Sequence, residues 1–224
     1  MNFPALCIDN FYNNPDEVRD FALSLEFEKQ PGNYPGERSN CLHEVDREFF
    51  NIFCEKLFSI FYNYNSDYIE WNIDTCFQKI YPYSEDRNSP LNSGWYHQDS
   101  HSVAAGVIYL NPNSNLDAGT TIGKVENSEI NYDDYSYRNR LYAGEDINKL
   151  EYQRKILNHN SKFNKTLEFK NVYNRLILYD TAYWHKETNF LANDYEPRLT
   201  QIFFIDRLEA SSGTPINRVK NSCI

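Results

Sequence analysis

From Trp71 onward the apolar residues of this chain come in strand-length pieces, each cut off by turn-forming residues. The pieces are Trp71–Tyr81, Trp95–His97, Val103–Leu110, Phe163–Phe169, Leu176–Tyr179 and Leu199–Ile205, with Asn111-Pro112-Asn113-Ser114 and Asp117-Ala118-Gly119 between them. None has the length of a helix that could bury itself, so each needs sheet partners. Upstream the pattern differs. Residues 3–12 alternate loosely as a strand. Asn14-Pro15-Asp16-Glu17 then carries the marks of a helix start, with Asn as cap, Pro at the first turn and Glu three residues on, and the helix runs to about Leu25. Residues 31–39 are a loop, and a second helix covers Val45 to Phe61, its Phe49, Phe53, Leu57 and Ile60 forming one apolar stripe. Helices followed by short strands predict a mainly β fold with flanking helices (α+β), a β-sandwich or jelly roll backed by N-terminal helices.

One domain over 1–224 is expected: an N-terminal strand and supporting helices over 1–69, a strand-rich core over 70–206, and a tail over 207–224. No linker rich in Pro, Gly or Ser divides it. Residues 124–162 interrupt the core. They are polar and tyrosine-rich, carry one predicted helix from about Asp146 to Leu157, and are too long for a simple connection. They are expected to form a lid or rim, with Tyr132, Tyr135, Tyr137 and Tyr142 beside a substrate entrance.

Aromatic residues make up 16% of the 224 residues, which excludes wholesale disorder and suits a rigid core with aromatic-lined pockets. The formal net charge of −10 argues against a general nucleic-acid-binding surface. No apolar run is long enough to span a membrane, and the N-terminus lacks the basic and apolar regions of a signal peptide. The five cysteines are scattered without a Cys-x-x-Cys pair, so neither a disulfide framework nor a thiolate zinc site is indicated. A cytoplasmic location is expected, without membrane partners; the oligomeric state is not legible.

The chemistry concentrates in two stretches. Trp95-Tyr96-His97-Gln98-Asp99 places His97 and Asp99 two residues apart, on one side of an extended chain, where an imidazole and a carboxylate can reach one metal. His185, in Tyr183-Trp184-His185, follows the strand Arg175–Tyr179 and a short turn. Arg198 opens the apolar run to Ile205, and Thr200 shares its face. A guanidinium entering a core needs an anionic partner, either a protein carboxylate such as Asp180 or Glu187 or a dicarboxylate ligand. His101 lies on the same side as His97 and Asp99 and is read as a loop residue near the metal. His43 and His159 fit no pattern and are read as surface residues.

In this order, His97, Asp99, His185, Arg198 and Thr200 resemble the signature of the iron(II) and 2-oxoglutarate-dependent dioxygenases, closest to the prolyl-hydroxylase-like branch. Tyr109-Leu110-Asn111 resembles that branch's Tyr-Leu-Asn. Tyr81-Pro82 resembles the close of the strand before its metal site, and Ala118-Gly119-Thr120 its Gly-Gly-Thr turn with Ala for the first Gly. Ile8-Asp9-Asn10-Phe11 before a Pro-capped helix also fits. The resemblance covers about residues 70–206. It implies a double-stranded β-helix (cupin-like jelly roll) in which His97, Asp99 and His185 are the catalytic and metal-ligating residues for Fe(II). It also implies 2-oxoglutarate and O2 as cosubstrates, the former held by Arg198 with Thr200, Tyr109 and Tyr81. The implied reaction hydroxylates a small molecule or a peptide or protein side chain and releases succinate and CO2. Two alternatives stay open: a cupin-type metalloprotein or isomerase without 2-oxoglutarate turnover, and a catalytically silent interaction protein on the same fold.

Overall fold

The computed structural model describes residues 5–29, 33–99, 101–125, 129–193 and 196–212. Phe3 and Pro4 of the first predicted strand, Pro31 and Gly32 of the first loop, and most of the predicted tail with Cys223 lie outside these.

Strand β1 (Leu6–Ile8) leads into helix α1 (Pro15–Ser24). Asn14 precedes α1 as expected, but its side chain caps no backbone N–H; its amide reaches Glu17 at 3.3 Å instead. The predicted loop contains a two-residue strand, β2 (Glu37–Arg38). The second predicted helix is α3 (Arg47–Ser59), and a short helix, α2 (Leu42–Val45), precedes it. Asp46 between them is extended and accepts the Phe49 N–H at 2.9 Å, a strong N-cap that starts α3 just ahead of the apolar stripe.

The strands then follow: β3 (Ile69–Ile80), β4 (Ala104–Tyr109), β5 (Thr120–Val125), β6 (Phe163–Phe169), β7 (Leu176–Asp180), β8 (Trp184–Glu187) and β9 (Arg198–Ala210). Two of them, β5 and β8, are additional to the sequence expectation, and β9 runs past residue 206. All pairings are antiparallel. The larger sheet has the order β1-β7-β4-β9-β3-β2 and the smaller β6-β5-β8. Trp95–His97 is not a strand of its own but runs beside β8 through an isolated His97–His185 bridge.

The larger sheet is covered on both faces. Ala104 and Ile108 of β4, Leu176 and Leu178 of β7, and Phe203 of β9 pack with Ala22, Phe53 and Leu57 of the helices. Their neighbours Ala105, Val107, Ile177, Tyr179 and Ile202 pack with Ile122 and Phe169 of the smaller sheet. Burial on both sides explains why β7 reads as an unbroken apolar run and not as an alternating one.

Two glycines permit close approaches. Gly36 sits at φ +75°, and a Cβ there would lie 2.0 Å from the Lys79 carbonyl oxygen, so β2 can press against β3. A Cβ on Gly119 would lie 1.8 Å from the Phe169 carbonyl oxygen.

The segment 124–162 is corrected in two respects. It holds two helices, α4 (Tyr135–Tyr142) and α5 (Lys149–Asn160), where one was expected. It also has a core, in which Tyr142, Tyr152 and Ile156 pack with Ile80, Leu91, Trp95 and Phe190.

Candidate metal centre

His97 and His185 are set side by side by their own backbones. The His97 N–H donates to the His185 carbonyl at 2.9 Å and the His185 N–H returns the bond at 3.0 Å. In an antiparallel pair directly opposed residues project to the same face, and the two imidazole centroids lie 4.4 Å apart. Asp99, two residues beyond His97, completes the group: its carboxylate oxygens lie 3.9 Å from His97 Nε2 and 3.2 Å from His185 Nε2. One donor atom from each of His97, Asp99 and His185 lies within 4.8 Å of the other two.

Both rings are held in one tautomer. His97 Nδ1 donates to the Trp95 carbonyl at 2.8 Å and His185 Nδ1 to the Tyr183 carbonyl at 3.0 Å. A carbonyl only accepts, so each Nδ1 carries a proton and each Nε2 faces the centre, the arrangement a metal-binding histidine requires. Without a metal the three groups polarise one another. Burial and the neighbouring His185 push His97 down to about 4. Burial also pulls His185 down, but the hydrogen bond and charge of Asp99 outweigh it and hold that ring above its ordinary value. Burial raises the Asp99 carboxyl, yet His185, His97 and Arg38 together hold it well below the usual carboxylate range.

The insertion fixes the segment that carries His97. His159 Nε2 donates to the Tyr96 carbonyl at 2.9 Å, and the Tyr135 hydroxyl donates to the same oxygen at 2.5 Å. Asn160 bonds the Gly94 carbonyl and the Tyr96 N–H, and Trp95 Nε1 donates to the Tyr152 hydroxyl at 2.7 Å. His159 is therefore not a surface residue: it is buried among Trp95, Tyr135 and Phe163. The helical spacing of Tyr152, Ile156 and His159 is the signal that would have placed it inward. His43 is exposed, in keeping with its reading.

A cavity of about 530 Å³ opens over the triad and is lined by His97, Asp99, His185, His101 and Arg198, among others. Arg198, the first residue of β9, is 2% exposed. Its Nε donates to the Ala118 carbonyl at 2.9 Å, and its guanidinium lies 5.5 Å from the Tyr109 ring centroid. Among the described residues its Nη2 has no hydrogen-bond partner, and neither has the hydroxyl of Thr200, which is fully buried on the same face. No carboxylate of the described residues forms an ion pair with Arg198. The buried Tyr109 hydroxyl donates to Thr120 Oγ1 at 2.8 Å, and burial pushes its phenol up to about 12. Tyr81 stands apart: it is 55% exposed and does not line the cavity. Its position just beyond β3 carries it to solvent. Sequence reasoning did not single out Arg38, Arg138 and Lys186, which also line the cavity, and named Glu187, a further lining residue, only as a possible partner of Arg198. Glu187 had a local signal as a cavity residue, since it follows His185 by two residues on the same strand.

The family described as "Family of unknown function (DUF6445)" matches residues 2–205, and the chain belongs to it. No curated protein matches. Among solved structures, HygX from Streptomyces hygroscopicus with nickel, 2-oxoglutarate and hygromycin B bound is similar. Its TM-score is 0.52 at 11% identity, with 90% of this chain and 82% of that chain covered. The epimerase SnoN in complex with Fe3+, alpha ketoglutarate and nogalamycin RO is similar at a TM-score of 0.50 and 9% identity, covering 90% and 78%. At these identities the likeness is one of fold. No described helix is long and apolar enough to cross a membrane.

Proposed function

We propose that this chain is a non-haem iron(II)- and 2-oxoglutarate-dependent oxygenase that hydroxylates its substrate, built on a double-stranded β-helix. The observation that carries the reading is Arg198. A guanidinium this buried would cost several kcal/mol if nothing neutralised it, and Arg198, with its free Nη2, lines a cavity containing two imidazoles and a carboxylate, while Thr200, two residues on along the same strand, also has a free hydroxyl. A dicarboxylate with one end at Arg198 and the other toward the triad satisfies both needs, and a metal-only reading leaves Arg198 unexplained.

The donor set fits the metal. Two neutral Nε2 atoms and one carboxylate are the ligand types that suit iron(II) and leave positions open for a cosubstrate. Bound there, iron(II) with 2-oxoglutarate and O2 would supply oxidative decarboxylation coupled to hydroxylation. The chain's residues do the remainder. His97 and His185 present Nε2 because Trp95 and Tyr183 hold their Nδ1 protons. Arg198 binds the far carboxylate of 2-oxoglutarate by a charge-assisted contact, with Thr200 adding a hydroxyl donor. The Ala118 carbonyl and the Tyr109 ring hold that guanidinium in place. Tyr109 donates its hydroxyl proton to Thr120, which lines the cavity, so it supports Thr120 and Arg198 more than it binds the ligand. The insertion's bonds to Gly94 and Tyr96 keep His97 in register with His185.

The test is an anaerobic titration of 2-oxoglutarate into the iron(II)-loaded protein, followed by the metal-to-ligand charge-transfer band, with succinate release measured afterwards in air. Wild-type protein should develop the band. Arg198→Ala should bind 2-oxoglutarate about 30- to several-thousand-fold more weakly, the range for truncating one partner of a buried charged contact. Absence of the band in wild type, or unchanged affinity in Arg198→Ala, contradicts the reading.

A further inference from the structure

Arg19, Arg140, Arg175 and Arg207 each pair with a carboxylate. Arg47, Arg87 and Arg154 are exposed, where water satisfies them. The three arginines that line the cavity belong to neither group: Arg38, Arg138 and Arg198 form no ion pair among the described residues. Arg198 lies at the 2-oxoglutarate position. The other two remain, and they reach the cavity from segments far apart in the sequence, Arg38 from β2 and Arg138 from α4.

Each is held but not neutralised. The Arg38 guanidinium lies 3.5 Å above the Tyr34 ring centroid and 5.8 Å from that of Phe204, and its buried Nε has no hydrogen-bond partner. Arg138 is 8% exposed; its one hydrogen bond runs from Nε to the Asn139 side chain at 3.2 Å, and its guanidinium rests 4.6 Å from the Tyr135 ring centroid. The carboxylates nearest in effect to Arg38 are Asp99 and Glu187. Asp99 is engaged with the two histidines, and Glu187 forms no ion pair with either arginine. Asp206 accepts the Ser102 hydroxyl at 2.7 Å. Aromatic rings that fix a guanidinium plane leave its N–H edge free and lower the entropy lost when an oxyanion docks.

We propose that Arg38 and Arg138 are the recognition groups for an anionic prime substrate, which presents a carboxylate or a phosphate to the cavity. The inference rests on the oxygenase reading for the word substrate, and on the two arginines alone for the anion. The volume suits a small molecule or one side chain of a larger one.

The experiment uses the full chain loaded with nickel(II) and saturated with 2-oxoglutarate. Inorganic phosphate and N-acetylglycine are titrated separately by calorimetry, with neutral N-acetylglycinamide as control. At least one oxyanion should bind saturably and the amide should not; which oxyanion binds distinguishes phosphate from carboxylate. Arg38→Gln and Arg138→Gln should each weaken that binding at least tenfold while 2-oxoglutarate affinity is retained. Circular dichroism checks folding, and if one variant fails to fold the other decides. Three results overturn the proposal: neither oxyanion saturates, the amide binds as well as the acid, or the folded variants bind like wild type. If 2-oxoglutarate itself does not bind, the titration is repeated without it, adding Arg198→Met. Dependence on Arg38 and Arg138 then preserves the anion site while the oxygenase reading falls. Dependence on Arg198 alone overturns the anion site.

Discussion

Replacing Arg198 by Met separates ligand binding from folding stability with opposite signs. In the ligand-free protein the guanidinium is 2% exposed and unpaired. Holding an ion of this size out of water costs several kcal/mol even after relaxation. Against that stand two contacts. The charged hydrogen bond to the Ala118 carbonyl is worth about 1.5–3 kcal/mol, and the Tyr109 ring, at 5.5 Å, adds roughly 0.5–1 kcal/mol. Methionine fills much of the volume without a charge. The balance leaves Arg198→Met more stable than wild type by on the order of 1 kcal/mol, a rise in Tm of about 2–4 °C for a chain of this size. With nickel(II) bound and 2-oxoglutarate at about 100 times its wild-type Kd, wild type should gain about 2.7 kcal/mol and the variant less than about 1 kcal/mol. Scanning calorimetry of both proteins, with and without 2-oxoglutarate, measures all four values. A variant that melts more than about 4 °C below wild type without ligand refutes the reasoning, because it would make Arg198 a structural residue satisfied by the fold itself. So would an undiminished 2-oxoglutarate shift in the variant.

Three further outcomes follow from the same geometry. Metal affinity should rise with pH until it passes the raised titration of His185 and then level off, because below that point the metal must displace a proton from Nε2; His97, pushed down to about 4, adds no slope at neutral pH. Calorimetry of nickel(II) binding in buffers of different ionisation enthalpy should show the released proton near pH 6 and none well above the plateau. Gly119→Ala forces a Cβ into the Phe169 carbonyl, which should cost about 1–3 kcal/mol in urea unfolding and weaken 2-oxoglutarate binding by moving Ala118. His159→Phe keeps the aromatic packing but removes one of two donors to the Tyr96 carbonyl; it should destabilise by about 1 kcal/mol, and a neutral effect would show that Tyr135 suffices.

The strand pieces and the order of His97, Asp99, His185, Arg198 and Thr200 were legible because they depend on local alternation and on residues whose chemistry is rare in a core. What sequence reasoning missed was decided by contacts between distant segments. Strand β5 hides in Thr120–Val125, where Gly123 and Lys124 interrupt an otherwise β-branched run whose two threonines are polar. The insertion was read as a lid or rim from its tyrosines, and of these Tyr142 lines the cavity, while Tyr135 bonds the segment that carries His97. That second role rests on contacts between segments far apart in sequence. Arg38 and Arg138 had no signal of their own, because an arginine in a loop or a polar helix is ordinarily a solvated one.

The reciprocal backbone bonds between His97 and His185 bear on how the centre comes into being during synthesis. The partner of His97 emerges from the ribosome only after the insertion and strands β6 and β7 have been made. A nascent chain ending before Trp184 presents one imidazole and one carboxylate, a pair too weak to select a metal. Selection is therefore deferred to the nearly finished chain, when the smaller sheet closes and the second ring swings into line. On the proposed iron(II) reading, this order of segments would keep a redox-active ion out of the protein until most of the chain around its site has been made.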